Sequence, residues 1–270
     1  MKNKRKLSFN PYLPGYEYIP DAEPYVFGDR VYIYGSHDES KGTTFCTGDY
    51  VSWSAPIDDL GDWRYEGVIY EKTQDPLNSD GAHAMFAPDV SMGPDGRYYL
   101  YYGLDYLGRI SVAVCNTPAG KYEYYGMVHY KNEDGSKEDL TEYIPYDPAV
   151  LLDDDGRVYL YYGFCPHFPI PWVDQSQIKG GMVVELEQDM MTIKEAPRLV
   201  LPCFKNSKGT AFEDHAFFEA PSIRKVKGIY YLVYSSQQVH ELCYASSPYP
   251  DKDFVYGGVI ISNGDIGYQG

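Results

Sequence analysis

Four stretches of this chain repeat one pattern: a proline, a short β-rich run, a glycine-containing turn, then an alternating or aromatic strand. They read EPYVFGDRVYIYGS (23–36), APDVSMGPDGRYYLYYG (87–103), DPAVLLDDDGRVYLYYG (147–163) and APSIRKVKGIYYLVYSS (220–236). Their prolines, Pro24, Pro88, Pro148 and Pro221, lie 64, 60 and 73 residues apart by subtraction. PDG, DDDG and VKG are hairpin-turn chemistry, because glycine takes positive φ without a steric cost. Each hairpin is followed by further strand-like text: DWRYEGVIY (62–70), RISVAVCNTPAGKYEYYGMVHY (109–130), ELCYASSPYPDKDFVYGGVIIS (241–262) and, least regularly, MVVELEQDMMTIKEAPRLVL (182–201). Four-stranded units repeated at this period indicate an all-β propeller without helices. A β-sandwich explains the alternation but not a four-strand period with matched turns.

The composition agrees. Among 270 residues there are 30 Tyr against 11 Phe and 3 Trp, and tyrosine suits pleated, half-buried strands while offering a polar tip. A formal net charge of −16 argues against nucleic acid and against anionic membrane, both of which ask for a basic surface. A neutral carbohydrate is compatible with it. The five cysteines (46, 115, 165, 203, 243) are scattered and odd in number, so reduced thiols are expected rather than a disulfide framework or zinc site. The basic start MKNKRK has no apolar run behind it, and no stretch has the length of a membrane span, so a cytoplasmic location is expected.

In a propeller the innermost strands converge on a central channel, so acids beside the marker prolines of different units meet in space. These are Asp21 and Glu23 before Pro24, Asp89 after Pro88, Asp147 before Pro148, and Glu219 two before Pro221. Glycoside hydrolysis needs one carboxylic acid to protonate the leaving oxygen and one carboxylate to act on water. A third carboxylate raises the pKa of the acid by like-charge repulsion. His37, His83 and His215 show no ligand spacing such as HExxH, so no catalytic metal is expected.

YIPDAEPYVFGDRVYIYGSHD, DYVSWSAP, DWRYEGVIY, FAPDVSMGPDGRYYLYYG, YDPAVLLDDDGRVYLYYG and FFEAPSIRKVKGIYYLVYSS, in this order, run through essentially the whole chain. Together they resemble glycoside hydrolase family 43, five-bladed propeller enzymes acting on arabinofuranosides and xylosides. The resemblance implies Asp21 as general base, Asp147 as the group that tunes the acid's pKa and orients it, and Glu219 as general acid. Family members invert configuration, which implies base and acid roughly 6.5–9.5 Å apart. The first motif departs from the family's Asp-Pro, since Ala22 and Glu23 intervene before Pro24, so Glu23 is a rival base. Phe86, Asp89, Trp53, Phe168, Trp172 and Arg224 are candidate substrate-binding residues. His167 lies in the same aromatic loop, CPHFPIPW (165–172), and Lys225 follows Arg224; for each of these a purely structural role is the competing reading.

The resemblance implies no required cofactor. Some family members hold a calcium or sodium ion in the channel, so the resemblance leaves a structural ion open there, although the histidine that accompanies it has no counterpart here. The implied activity is release of terminal α-L-arabinofuranosyl or β-D-xylosyl residues from plant-type oligosaccharides; a carbohydrate-binding or inert propeller is the alternative. Residues 1–270 read as one catalytic domain with four recognisable units, the last blade apparently missing. The expectation is therefore either that the domain is C-terminally incomplete or that a homo-oligomer or a partner closes the ring.

Overall fold

A computed structural model describes residues 10–105, 107–237 and 241–262. Four antiparallel sheets of four strands follow one another along the chain, each ordered as a simple meander. Blade 1 holds β1 (Glu23–Phe27), β2 (Arg30–Tyr34), β3 (Tyr50–Pro56) and β4 (Arg64–Tyr70), and blade 2 holds β5 (Met85–Met92), β6 (Tyr98–Leu104), β7 (Ile110–Cys115) and β8 (Glu123–Met127). A small hairpin, β9 (His129–Lys131) with β10 (Lys137–Asp139), stands between blades 2 and 3. Blade 3 holds β11 (Ala149–Leu152), β12 (Val158–Tyr162), β13 (Gly180–Leu186) and β14 (Arg198–Pro202), and blade 4 holds β15 (Phe217–Val226), β16 (Ile229–Ser236), β17 (Leu242–Ser247) and β18 (Val255–Ile261). The only helical elements among the described residues are three single 3₁₀ turns.

The described residues thus form an all-β propeller with four blades. The tail SNGDIGYQG (262–270), where a fifth blade was expected to begin, lies outside the described residues after Ser262. The β9–β10 hairpin was not anticipated; its signal is the NEDGS turn, in which Gly135 takes φ +83°.

The repeated turns are built alike. In the β5–β6 and β11–β12 hairpins, Gly96 and Gly156 sit at φ +80° and +83°. One residue before each, Asp95 and Asp155 accept the amide of Arg97 and Arg157 and pair with their guanidinium groups at 2.6 and 2.7 Å. Those guanidinium groups in turn lie over Tyr99 and Tyr159, 5.4 and 5.5 Å from the ring centroids.

The core lies between blades, in three clusters that join blade 1 to 2, 2 to 3 and 3 to 4. This explains the tyrosine content. Tyr34, Tyr101, Tyr122 and Tyr161 fill these seams with their rings and donate their hydroxyls to the carbonyls of Pro118, Met190, Pro118 and Pro250, so polar tips are buried without loss. β12 is buried on both faces, whereas β16 alternates, leaving Tyr231 exposed along with Val255, Val259, Ile260 and Ile261 on β18. On blade 1 the segment before β1 covers the sheet: Trp53 donates to Glu17, and the Asp38 amide bonds to the Tyr18 carbonyl. All five cysteines are free, and four are buried.

Candidate active site

Four residues that lead into the innermost strands share a left-handed backbone: Asp21 (φ +54°), Ala87 (+25°), Asp147 (+48°) and Ala220 (+54°). Non-glycine residues adopt this conformation rarely, and it concentrates at functional sites. In blades 2 and 4 it coincides with register shifts between Phe86 and Asp89 and on either side of Glu219, which bend the strand and re-aim its side chains.

Aligning the blades on this conformation corrects the register inferred from the prolines. Ala22, not Pro24, is equivalent to Pro88, Pro148 and Pro221. The acids therefore occupy three positions rather than one related point. Asp21 and Asp147 are the left-handed residues themselves. Glu219 precedes one, in the place held by Phe86 and Tyr146. Glu23 and Asp89 fall two residues later, farther down the channel.

A pocket of about 610 Å³ collects Asp21, Asp147 and Glu219 from blades 1, 3 and 4. Its walls include Phe86, Tyr146, Phe164, Phe168, Trp172 and Phe218. Tyr146 is the hub of the aromatic wall, with ring centroids 5.4 Å from Phe86, 5.1 Å from Phe164 and 6.3 Å from Trp172, while Trp172 stacks on Phe164 with the rings 9° from parallel. Phe168 is exposed at the pocket, with His167 edge-on to it.

The three acids differ in environment. Asp147 is buried and accepts the Ala220 amide at 3.1 Å. Burial above all, then the charges of Glu219 and Asp21, holds its pKa well above the carboxylate range. Burial and the Asp21 charge push Glu219 up to about 8. Asp21 is the most exposed of the three, with Glu219 half-buried. Its pKa is also raised, by burial of the carboxyl and by Asp38, but Ser36 donates to it at 3.1 Å and opposes the shift. Water access screens its share further. Near neutral pH the cluster therefore holds protons on the inner acids while Asp21 ionises most readily.

Three candidate binding residues lie outside this pocket. Trp53 sits mid-strand on β3 and is 6% exposed; its indole N–H is spent on Glu17 at 2.7 Å, and it borders a separate cleft with Tyr16, His37 and Tyr65. Asp89 is fully buried and accepts the Val150 amide at 2.6 Å. Arg224 points down the channel, 2.7 Å from Glu23, with its guanidinium 4.2 Å over the Tyr25 ring. Glu23 also accepts Ser222 at 3.0 Å, so the rival base is engaged in joining blade 4 to blade 1. Lys225, on the opposite face of β15, pairs with Asp153 and Asp154.

Sequence reasoning missed Asp38, Cys46, Asp105, Tyr146 and Phe164 on the pocket wall. Tyr146 was signalled by preceding Asp147, as Phe218 precedes Glu219. Asp105 is held by His83 at 2.7 Å, a pairing across 22 positions that no local motif announces. Among the described residues, His215, Glu241 and Cys243 bring metal-type donor atoms within 4.8 Å of one another. None of the three lines the pocket, and His215 and Glu241 already satisfy each other at 2.8 Å.

The model of "Glycosyl hydrolases family 43" matches residues 10–252. A "Xylosidase/arabinosidase" of Thermoclostridium stercorarium is 58% identical over 262 residues, covering 97% of this chain and 54% of that protein; the chain thus spans about half that relative's length. A "Xylosidase/arabinosidase" of Bacteroides ovatus is 30% identical over 278 residues, covering 93% of this chain and 80% of its own. Among solved structures, a GH43_1 enzyme from Xanthomonas citri complexed with xylose superposes with a TM-score of 0.70 at 28% identity, covering 90% of this chain and 74% of that one. A GH43 β-xylosidase/α-arabinofuranosidase from a compost microbial metagenome, in complex with xylotriose and in calcium-free form, gives the same TM-score and identity over 90% of this chain and 78% of its own.

Proposed function

This chain belongs to glycosyl hydrolases family 43, and from that premise we propose that it releases terminal α-L-arabinofuranosyl or β-D-xylosyl residues from plant-type oligosaccharides with inversion of configuration. The observation that carries the proposal is the meeting of three carboxyls from three blades in one aromatic-walled pocket. Aromatic faces suit the apolar faces of a pentose, and the carboxyls suit its hydroxyls and the scissile oxygen.

In this reading Glu219, protonated at neutral pH, gives its proton to the glycosidic oxygen as the bond to the anomeric carbon breaks. Asp21, solvent-reaching and ionised, takes a proton from the water that attacks the opposite face. Asp147, held by the Ala220 amide next to Glu219 in the chain, repels a second negative charge in the same site, so the two inner carboxyls do not ionise together and Glu219 keeps its proton. The scheme needs no cofactor.

The channel below supports a related proposal. Its positive charge comes from Arg224, whose guanidinium faces Glu23 and Asp89. A calcium or sodium ion takes a shell of oxygens, whereas the carboxylates here already share a guanidinium. Arg224 thus supplies the charge that an ion would bring.

Incubation with p-nitrophenyl α-L-arabinofuranoside and β-D-xyloside tests the activity, and NMR of the first-formed anomer tests inversion. Asp21→Asn is expected to lower kcat by about 10²–10⁴-fold, with Glu23→Gln far milder. Binding of pentose oligosaccharides without cleavage of either glycoside sinks the enzyme reading and favours a carbohydrate-binding propeller.

A further inference from the structure

We infer that Ser36 is the positioning residue of the base: its hydroxyl links Asp21 to the backbone of the neighbouring blade and fixes the carboxylate in the pocket. The inference rests on the assignment of Asp21 as base. The neighbouring acids of the ring are each anchored by an amide of the following blade. Asp89 in blade 2 accepts Val150 of blade 3 at 2.6 Å, and Asp147 in blade 3 accepts Ala220 of blade 4 at 3.1 Å. At the junction of blades 1 and 2 that bond is not direct. The Ala87 amide donates to Ser36 Oγ at 2.7 Å, and Ser36 donates to Asp21 Oδ2 at 3.1 Å. The amide occupies an acceptor site on the serine oxygen, and of the two acceptors within reach of the hydroxyl proton, Asp21 and the Cys46 sulfur, the carboxylate is the stronger.

The approach is prepared by the residue before it. A Cβ on Gly35 would stand 2.5 Å from Ile19 Cγ2 and 2.6 Å from the Pro20 carbonyl; only glycine lets the end of β2 press against the segment that carries Asp21. Ser36 itself is wholly buried, so its hydroxyl has no water to bond instead and its geometry is set by these partners. The groups that face Asp21 are otherwise neutral or negative: Asp38, the Cys46 thiol, Tyr50, Asp147 and Glu219. Ser36 is the donor that favours the ionised form among them.

A hydroxyl donating to a carboxylate stabilises the charged form, so its removal raises the pKa of the base. In Ser36→Ala the acidic limb of kcat/KM against pH is expected to move up by about 0.5–1 unit, a roughly 3–10-fold loss below the limb, with KM on the plateau little changed. Ser36→Thr keeps the hydroxyl and should keep the wild-type limb. Ser36→Cys, a weaker donor of similar size, should move it the same way as alanine and covers the case in which alanine fails to fold. A lowered melting temperature with an unmoved limb in an active variant means a merely structural serine and overturns the inference. Full activity in Asp21→Asn refutes the base assignment instead, so the two failures are distinguishable.

Discussion

Glu219→Gln should stabilise this protein, and more so as the pH rises. The ordinary glutamate pKa is 4.5, and burial together with the Asp21 charge raises Glu219 to about 8. A group whose folded pKa lies above its unfolded value binds more protons folded than unfolded, so stability falls as pH climbs through that interval. The interval is about 3.5 units, which at 1.36 kcal/mol each gives an upper bound of about 5 kcal/mol. Three carboxyls share the charge and the pocket is open to water, so about 2 kcal/mol is the expected share above pH 8. Glutamine cannot ionise and escapes this loss. For a chain of this size that is a gain of about 4–8 °C in Tm. The assay is thermal unfolding of both proteins at pH 5 and pH 9, with Glu133→Gln, at an exposed loop position, as control. The gain should be near zero at pH 5 and largest at pH 9, while kcat collapses at every pH. A gain equal at both pH values would refute the reasoning, because it would then come from packing and not from a proton.

Arg224→Met removes a cation that faces Glu23 and Asp89; allowing for partial exposure of the pair, about 2 kcal/mol should be lost in urea unfolding, and adding Glu23→Gln should recover part of it. Trp172→Ala deletes a wall of the pocket stacked on Phe164; steady-state kinetics should give KM up about tenfold, with kcat changed less, as expected for binding shared by ground and transition states. Gly156→Ala forces a Cβ into φ +83° in the β11–β12 turn; chemical denaturation should register roughly 1 kcal/mol while kcat/KM stays at the wild-type value.

The propeller was legible because its signals are local. DDGR and PDGR turns recur before YYLYYG-type strands, and each turn closes with the same Asp–Arg pair and the same Arg–Tyr contact, so matched text gives matched structure. The acids were legible because they stand beside the prolines that open the inner strands, close to the left-handed bend that recurs once per blade. What the text misplaced was the register of blade 1. Pro24 looks like the marker of the other blades, yet the left-handed residue is Asp21 and the equivalent of their proline is Ala22. Two residues along a strand return a side chain to the same face but farther along it, so this offset of two, together with the bend, decides which acid reaches the pocket and which lies down the channel. That is why Asp21 lines the pocket while Glu23, like its equivalent Asp89, lies below it, and why Arg224 meets Glu23 and not a pocket acid. The remaining wall came from loops whose contacts span tens of residues: His83 to Asp105, and Ser36 to Ala87. Such pairs have no period, because they depend on how neighbouring blades pack. One of them ties Asp21 to the next blade, so the acid whose motif was the loosest in the text is held by a serine that the text did not single out at all.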